Sequence, residues 1–221
     1  MDFEYARRNM IEQQIRPWDV LDQEVLDLLA EVRREDFVPA EHRTLAFTDM
    51  EIPLTAAGAA RGEVMLHPKL EARLLQELML RRHESVLEIG AGSGHMAALL
   101  AHRGRDVLTV DINPELAALA AANLKRAGVT NARVAGGNGL DHARNARFDA
   151  IVLSGSVSRV PESLLRSLAV GGRLIGIVGD QPVMSATLVT RAGEEAFVTA
   201  KLFESVAPRL LAFPEPDRFR F

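Results

Sequence analysis

Residues 86–94 read Val-Leu-Glu-Ile-Gly-Ala-Gly-Ser-Gly, and the next apolar run closes on Asp111. This unit constrains the fold more than any other part of the chain. Ser85–Ile89 predicts a buried strand, and Gly90, Gly92 and Gly94 predict a tight turn. His95-Met96-Ala97-Ala98-Leu99-Leu100 then opens a helix at once. A second strand, Asp106–Val110, ends on an acid. Glycines let backbone pass close to a ligand, a helix start offers N–H groups, and an acid after the second strand suits sugar hydroxyls. Strand, turn, helix, strand and terminal acid in this register predict a nucleoside site.

The glycine spacing narrows the ligand. A dinucleotide site uses G-x-G-x-x-G, whereas this chain has G-x-G-x-G, with His95 where the third dinucleotide glycine would stand. Glu88 sits two residues before Gly90. A carboxylate there would repel a pyrophosphate but suits a cation. The pattern E-x-G-x-G-x-G is that of enzymes using S-adenosyl-L-methionine, which has no phosphate and carries a sulfonium. The candidate cofactor residues are therefore Glu88, Gly90, Ala91, Gly92, Ser93, Gly94, Asp111 and Ile112, joined by Gly137, Asn138 and Gly139 in the turn after the third strand. A nicotinamide site is disfavoured by the spacing and by Glu88.

Composition excludes several other classes. The chain has 221 residues, 48% of them hydrophobic and 25% charged, which fits one folded domain with a substantial core. We divide it into an N-terminal helical and loop region over the active site (1–82) and an α/β core (83–221). A net charge of −4 offers no general pull on nucleic acid or anionic lipid. With no cysteine there are no disulfides, thiolate metal sites or thiol nucleophiles, and a cytoplasmic enzyme is the simple expectation. The six histidines lack H-E-x-x-H or comparable spacing, so no metal site is expected. Residues 1–8, with early acids and no apolar stretch after them, are not expected to be a signal peptide, and the longest apolar run, near Leu116–Ala122, is too short to span a bilayer. Phe203, Phe213, Phe219 and Phe221 read as packing rather than a stacking platform. Monomer and dimer both stay open.

Along the chain, Pro17 breaks an early helical segment, and Asp19 is placed to cap a helix bearing Leu21, Val25, Leu28, Leu29 and Val32. Residues 36–62 read as irregular. Pro68 suits the first turn of a helix with Leu70, Leu74, Leu75 and Leu78. Beyond Ile89, Asn113-Pro114 starts a helix that Gly128 ends. Strands are expected at Ala132–Ala135 and Phe148–Leu153, a helix from Pro161 to Leu168, and a strand at Arg173–Val178 after the Gly171-Gly172 turn. An antiparallel pair, Ala186–Arg191 with Ala196–Glu204, closes the chain. The fold class is α/β, a Rossmann-like S-adenosylmethionine-dependent methyltransferase fold. Its mainly parallel doubly wound sheet ends in an antiparallel hairpin and carries an N-terminal helical extension. Glu88, Asp111, Asn138 and Ser154 should gather beyond the carboxyl ends of the strands. Ser154-Gly155-Ser156 reads equally well as substrate-binding or as a plain turn.

Methyl acceptors can be narrowed too. Attack on carbon-5 of cytosine needs a cysteine, and methylation of base amines uses an Asp/Asn-Pro-Pro-aromatic motif where this chain has Ser154-Gly155-Ser156-Val157. An oxygen or carboxylate acceptor remains open. A carboxylate is ionised at pH 7 and needs no general base.

The chain resembles the protein-L-isoaspartate O-methyltransferases along nearly its whole length. The residues that carry this are Met10-Ile11-Glu12-Gln13-Gln14-Ile15, Val32-Arg33-Arg34-Glu35-Asp36-Phe37-Val38-Pro39 and Ala46-Phe47-Thr48-Asp49. Val86–Gly94, Gly137-Asn138-Gly139, Phe148–Val152 and Gly171-Gly172-Arg173-Leu174 follow in order. The resemblance implies methyl transfer from S-adenosylmethionine to the free carboxylate of isoaspartyl residues in a damaged protein or peptide. The family's Gly-Gln-Thr-Ile-Ser-x-Pro loop reads Gly62-Glu63-Val64-Met65-Leu66-His67-Pro68 here, so Val64 and Leu66 replace two active-site hydroxyls. Asn138 replaces the family's aspartate, and its amide oxygen can still accept from adenine's amino group. His67 is the candidate catalytic donor in place of the hydroxyls, with helix capping as its other reading. The alternatives are transfer to another carboxylate or oxygen, including that of a small molecule, and a non-catalytic cofactor-binding protein.

Overall fold

The computed structural model describes residues 1–55, 58–144 and 146–215. Phe219 and Phe221 lie outside them. Seven strands form one sheet in the order β5-β4-β3-β6-β7-β8-β9. They are β3 (Ser85–Ile89), β4 (Asp106–Asp111), β5 (Ala132–Gly136), β6 (Phe148–Val157), β7 (Leu168–Asp180), β8 (Val183–Arg191) and β9 (Phe197–Glu204). β5, β4, β3, β6 and β7 are parallel, and β8 and β9 run antiparallel at the end. The chain builds outward from β3 through β4 to β5, then returns to the other side of β3 with β6. That reversal opens a crevice at the strand ends between β3 and β6, where ligands settle on such sheets.

Alternation along the strands explains the two layers. Val86, Ala150, Val152, Ile175 and Ile177 point into one core, and Leu87, Ile89, Ile151, Leu153 and Leu174 into the other. The first core is covered by α4 (Pro68–Leu78), α5 (His95–Arg103) and α6 (Pro114–Arg126), together with α1 (Phe3–Met10) and α2 (Gln23–Glu31). The second is covered by α7 (Gly139–Ala143), α8 (Glu162–Leu165) and Phe213. Each fully buried leucine or isoleucine contributes about 1.5–3 kcal/mol, so this double coverage is the main source of stability.

Several sequence expectations shift. The early helix is capped by Asp22, whose side chain accepts from the Glu24 N–H, not by Asp19, which takes a left-handed conformation after a 3-10 turn at Arg16–Trp18. Leu21 thus falls outside the helix and is exposed. Residues 36–62 are not wholly irregular: they hold a 3-10 helix at Ala40–Phe47, the strand β1 (Ile52–Pro53) paired with β2 (Val64–Met65), and the short helix α3 (Gly58–Arg61). The helix after Pro161 stops at Leu165. Gly171-Gly172 is not a turn before a strand. β7 runs through it, and the register jumps from Phe148↔Leu168 to Ala150↔Arg173, which makes the glycine pair a bulge. Pro68 and Asn113 start their helices as expected. No helix among the described residues is long and apolar enough to cross a membrane.

Candidate active site

The site begins with the turn after β3. Gly90 has a φ of +97°, and a Cβ there would lie 2.9 Å from Leu210 and 3.2 Å from the Ser154 carbonyl. Only glycine serves where the turn passes so close to β6 and to the chain near the C-terminus. Gly94, at φ +82°, presses on Ala120 of α6, with a Cβ placed 3.1 Å from the Ala120 carbonyl oxygen. Its role is to seat the start of α5 against α6.

The N–H groups of this turn are largely consumed by the fold. Gly90 and Ala91 donate to the Val110 carbonyl, and Gly92 donates to Asp111 Oδ2 at 2.9 Å. The turn therefore offers no nest of free donors for a phosphate, which suits a phosphate-free nucleoside. Asp111, the last residue of β4, is 7% exposed, and its Oδ1 accepts from the Asn113 N–H at 2.9 Å. Burial pushes its carboxyl up, while the N–H groups of Gly92 and Asn113 pull the other way.

A cleft at the strand ends is lined by Gly90, Gly92, Asp111, Ile112, Gly137, Asn138, Gly139 and Ser154. The Asn138 side chain caps α7 by accepting from the Leu140 N–H at 3.0 Å, and Gly139 sits against Ile89 with no room for a side chain. Two segments roof the cleft, the first overlapping the 62–68 loop that the resemblance places at the active site, the second without an assignment from the sequence. One is Arg61–Val64, where Glu63 accepts from Asn113 Nδ2 at 2.7 Å and from Arg61. Burial pushes the Glu63 carboxyl up, but the Arg61 and Asn113 hydrogen bonds prevail and hold it below its ordinary value. The other is Arg209–Leu211, tied to β6 where Leu210 N–H donates to the Ser156 carbonyl.

Inward, the cleft continues into a small chamber that shares Val64, Gly90, Gly92 and Ser154 with it and adds Leu66, Glu71, Glu88, Ala91, Ser93 and Met96. Glu88 occupies a core position of β3 and is 0% exposed. Ser154 lies within β6, not in a turn, and its Oγ donates to Glu88 Oε1 at 2.7 Å across the β3–β6 crevice. Burial pushes the Glu88 carboxyl up to about 8, with Ser154 and Thr109 hydroxyls partly offsetting. The sequence treats Glu88 as a charged acid; burial instead favours its neutral form at pH 7.

Behind the chamber lies a buried charge cluster that the sequence reading missed. Arg34 pairs with Glu71 and also donates to the Leu66 carbonyl, and His95 Nδ1 lies 3.1 Å from Glu71 Oε2. Burial pushes the Glu71 carboxyl up, but Arg34 and His95 beside it, through charge and hydrogen bonds, hold it below its ordinary value. The sequence carried a signal: Glu71 falls three and four residues before Leu74 and Leu75, on the apolar stripe of α4.

His67 is placed elsewhere. It lines a separate hollow with Trp18, Lys69 and Val206, its Nδ1 lies 3.2 Å from Asp49, and its side chain makes no capping bond to α4.

Comparison with known proteins bears on the family and the fold. Residues 5–207 match the model of the family described as protein-L-isoaspartate(D-aspartate) O-methyltransferase (PCMT). A protein-L-isoaspartate O-methyltransferase from Gloeobacter violaceus is 39% identical over 173 residues, covering 78% of this chain and 82% of its own. One from Herpetosiphon aurantiacus is 34% identical over 193 residues, covering 87% and 84%. The fold is also that of the Plasmodium falciparum PCMT crystal structure with S-adenosyl-L-homocysteine, at a TM-score of 0.75 and 18% identity over 92% of this chain and 98% of that one. By the extent of the family match and by these identities, the chain belongs to the protein-L-isoaspartate(D-aspartate) O-methyltransferase family.

Proposed function

We propose that this protein transfers a methyl group from S-adenosyl-L-methionine to the free carboxylate of L-isoaspartyl residues in damaged proteins. The observation that carries the reading is the strand-end cleft in which Asp111 and the Gly90–Gly94 turn stand together with phosphate-binding donors absent from the turn's first three N–H groups. That donor set fits an adenosyl group joined to an amino acid, not a dinucleotide.

In this reading Asp111 receives the ribose hydroxyls, Ile112 offers an apolar face to the base, and Asn138 stands near the adenine amino group. The glycine turn lets the amino-acid end pass inward toward the chamber. The bound cofactor supplies an electrophilic methyl on a sulfonium. The acceptor carboxylate oxygen bonds to that methyl carbon as the carbon–sulfur bond breaks and its electron pair stays on sulfur. No proton moves, so the protein's work is in-line positioning and exclusion of water. The roof segments and the apolar Val64, Leu66 and Met96 serve both ends.

One observation supports a second acceptor class. The loop side of the chamber has the side chains of Val64 and Leu66 where the resemblance implies hydroxyls, which takes away donors for an isoaspartyl carboxylate and keeps another oxygen acceptor open. An assay with labelled methyl groups decides between the two. Base-labile label on an isoaspartyl peptide, absent from its aspartyl isomer, is the expected result. No transfer above background at saturating cofactor would sink the isoaspartyl reading, and label appearing only on small molecules from an extract would establish the second.

A further inference from the structure

One buried side chain ties the 62–68 loop to the cofactor turn. Arg34, 1% exposed, opens the 3-10 turn Arg34–Asp36 and itself lines neither the cleft nor the chamber. One terminal nitrogen of its guanidinium donates to Glu71 Oε2 and the other to the Leu66 carbonyl. Leu66 lines the chamber from the loop, and Glu71 lies in the first turn of α4, the helix that follows. Glu71 Oε2 also meets Nδ1 of His95, the first residue of α5 after the glycine turn. Phe37, three residues beyond Arg34, sets its ring edge-on to the His95 ring, with centroids 5.3 Å apart. The segment that carries Arg34 thus braces the loop on one side and the end of the glycine turn on the other.

We propose that Arg34 is a positioning residue for methyl transfer. Through the Leu66 carbonyl and the Glu71–His95 contact it sets the spacing between the loop at the acceptor end and the turn that holds the cofactor. The inference rests on the methyltransferase reading above and adds to it a residue that acts through its neighbours.

The chemistry of the cluster favours positioning over plain stabilisation. Two charges taken out of water regain little more than they lose, so a buried pair is a weak source of stability. The Arg34 Nε is buried without a partner, so the cluster does not satisfy every donor it buries. A guanidinium does hold two acceptors in one plane at a fixed separation, which an ammonium cannot do. The reaction places its demand on that geometry. No proton moves, and attack on the methyl carbon succeeds only in line with its bond to sulfur. A displacement of about 1 Å at the reacting centre, caused from outside it, can lower the rate by about a hundredfold.

Two variants and a normalised rate test the assignment. Arg34→Lys keeps a cation beside Glu71 but offers a point donor that cannot span both acceptors. Arg34→Met combined with Glu71→Leu removes the grip without stranding either charge. Titration with S-adenosylhomocysteine counts the folded, cofactor-competent sites. The single-turnover rate on an isoaspartyl peptide, at saturating peptide and cofactor, is then expressed per site. A lost positioning contact lowers the rate per site, whereas a lost structural contact lowers only the number of sites. The double variant should transfer about ten- to a hundredfold more slowly per site, with S-adenosylhomocysteine affinity within about threefold of the wild type. The lysine variant should keep that affinity and still lose about tenfold per site. Wild-type rates per site in both variants, or losses confined to the number of sites, overturn the assignment. So does an affinity that falls in step with the rate, which would make Arg34 a support of the cofactor alone. No transfer by the wild type overturns the function reading itself, and the Arg34 assignment falls with it.

Discussion

Asp111 and Gly92 are joined by a 2.9 Å hydrogen bond in which the carboxylate accepts the turn's own N–H. The same carboxylate accepts the Asn113 N–H. The acid at the end of β4 thus fixes the glycine turn and the start of α6 while it faces the cleft, and ligand binding and local order depend on one side chain.

Replacing Asp111 by alanine should therefore cost more than a ribose contact. Two backbone N–H groups lose a charged acceptor, each such bond contributing about 1.5–3 kcal/mol. S-adenosylhomocysteine affinity measured by calorimetry should drop by at least about tenfold, with a modest loss of thermal stability. Asp111→Asn should not rescue it, because the amide turns a hydrogen donor toward either Gly92 or Asn113. Unchanged affinity in the alanine variant would remove Asp111 from the cofactor site.

The strand–turn–helix unit was legible because each part has a local cause: alternation in β3, glycine in the turn, Asn113-Pro114 at the start of α6. The cap at Asp22 was not, since Asp19 and Asp22 are equivalent as residue types and only the preceding 3-10 turn decides between them. The Gly171-Gly172 bulge reads as a turn until the partner strand is known. At the site, the protonation of Glu88 depends on burial by α4 and β6, and the roof depends on contacts such as Glu63 to Asn113, 50 residues apart. Such long-range facts have no local trace. Glu71 is the exception, because an acid on the apolar stripe of α4 can be found by counting.

Glu88 should make stability fall as pH rises. Its folded carboxyl titrates at about 8 against an ordinary 4.5, so between those values the folded protein holds a proton that the unfolded chain releases. The contribution is full below pH 4.5 and is lost as pH rises through about 8. Glu88→Gln removes the dependence. The melting temperature of the variant should gain on that of the wild type from pH 5 to pH 8, and a constant difference across the range would show that the folded protein does not hold the Glu88 proton there.

The Arg34–Glu71 pair sets a different cost. Both side chains are buried, at 1% and 5% exposure, so removing one charge strands the other. Glu71→Ala should destabilise by about 3–5 kcal/mol in urea unfolding. An Arg34→Met, Glu71→Leu double variant should lose markedly less, because neither the guanidinium nor the carboxylate is left stranded, and only the His95 Nδ1 contact goes with them. If the double variant is the less stable of the two, the pair is a net stabiliser, contrary to this expectation.

The contact between Glu63 and Asn113 joins the Arg61–Val64 segment to the start of α6 across the cleft. Asn113 Nδ2 donates to Glu63 Oε1 at 2.7 Å, while its Oδ1 caps α6 through the Glu115 N–H. Asn113→Asp keeps the cap, where an acid is as good as an amide, but sets a second carboxylate against Glu63. The clasp over Arg61–Val64 should then release without loss of α6. A hydrogen bond of this kind contributes about 0.5–1.5 kcal/mol, so labelled S-adenosylhomocysteine should dissociate up to about tenfold faster, with helix content by circular dichroism unchanged. Glu63→Ala should act in the same direction through the other partner. Release at the wild-type rate in both variants would mean that the 61–64 segment does not gate the cofactor.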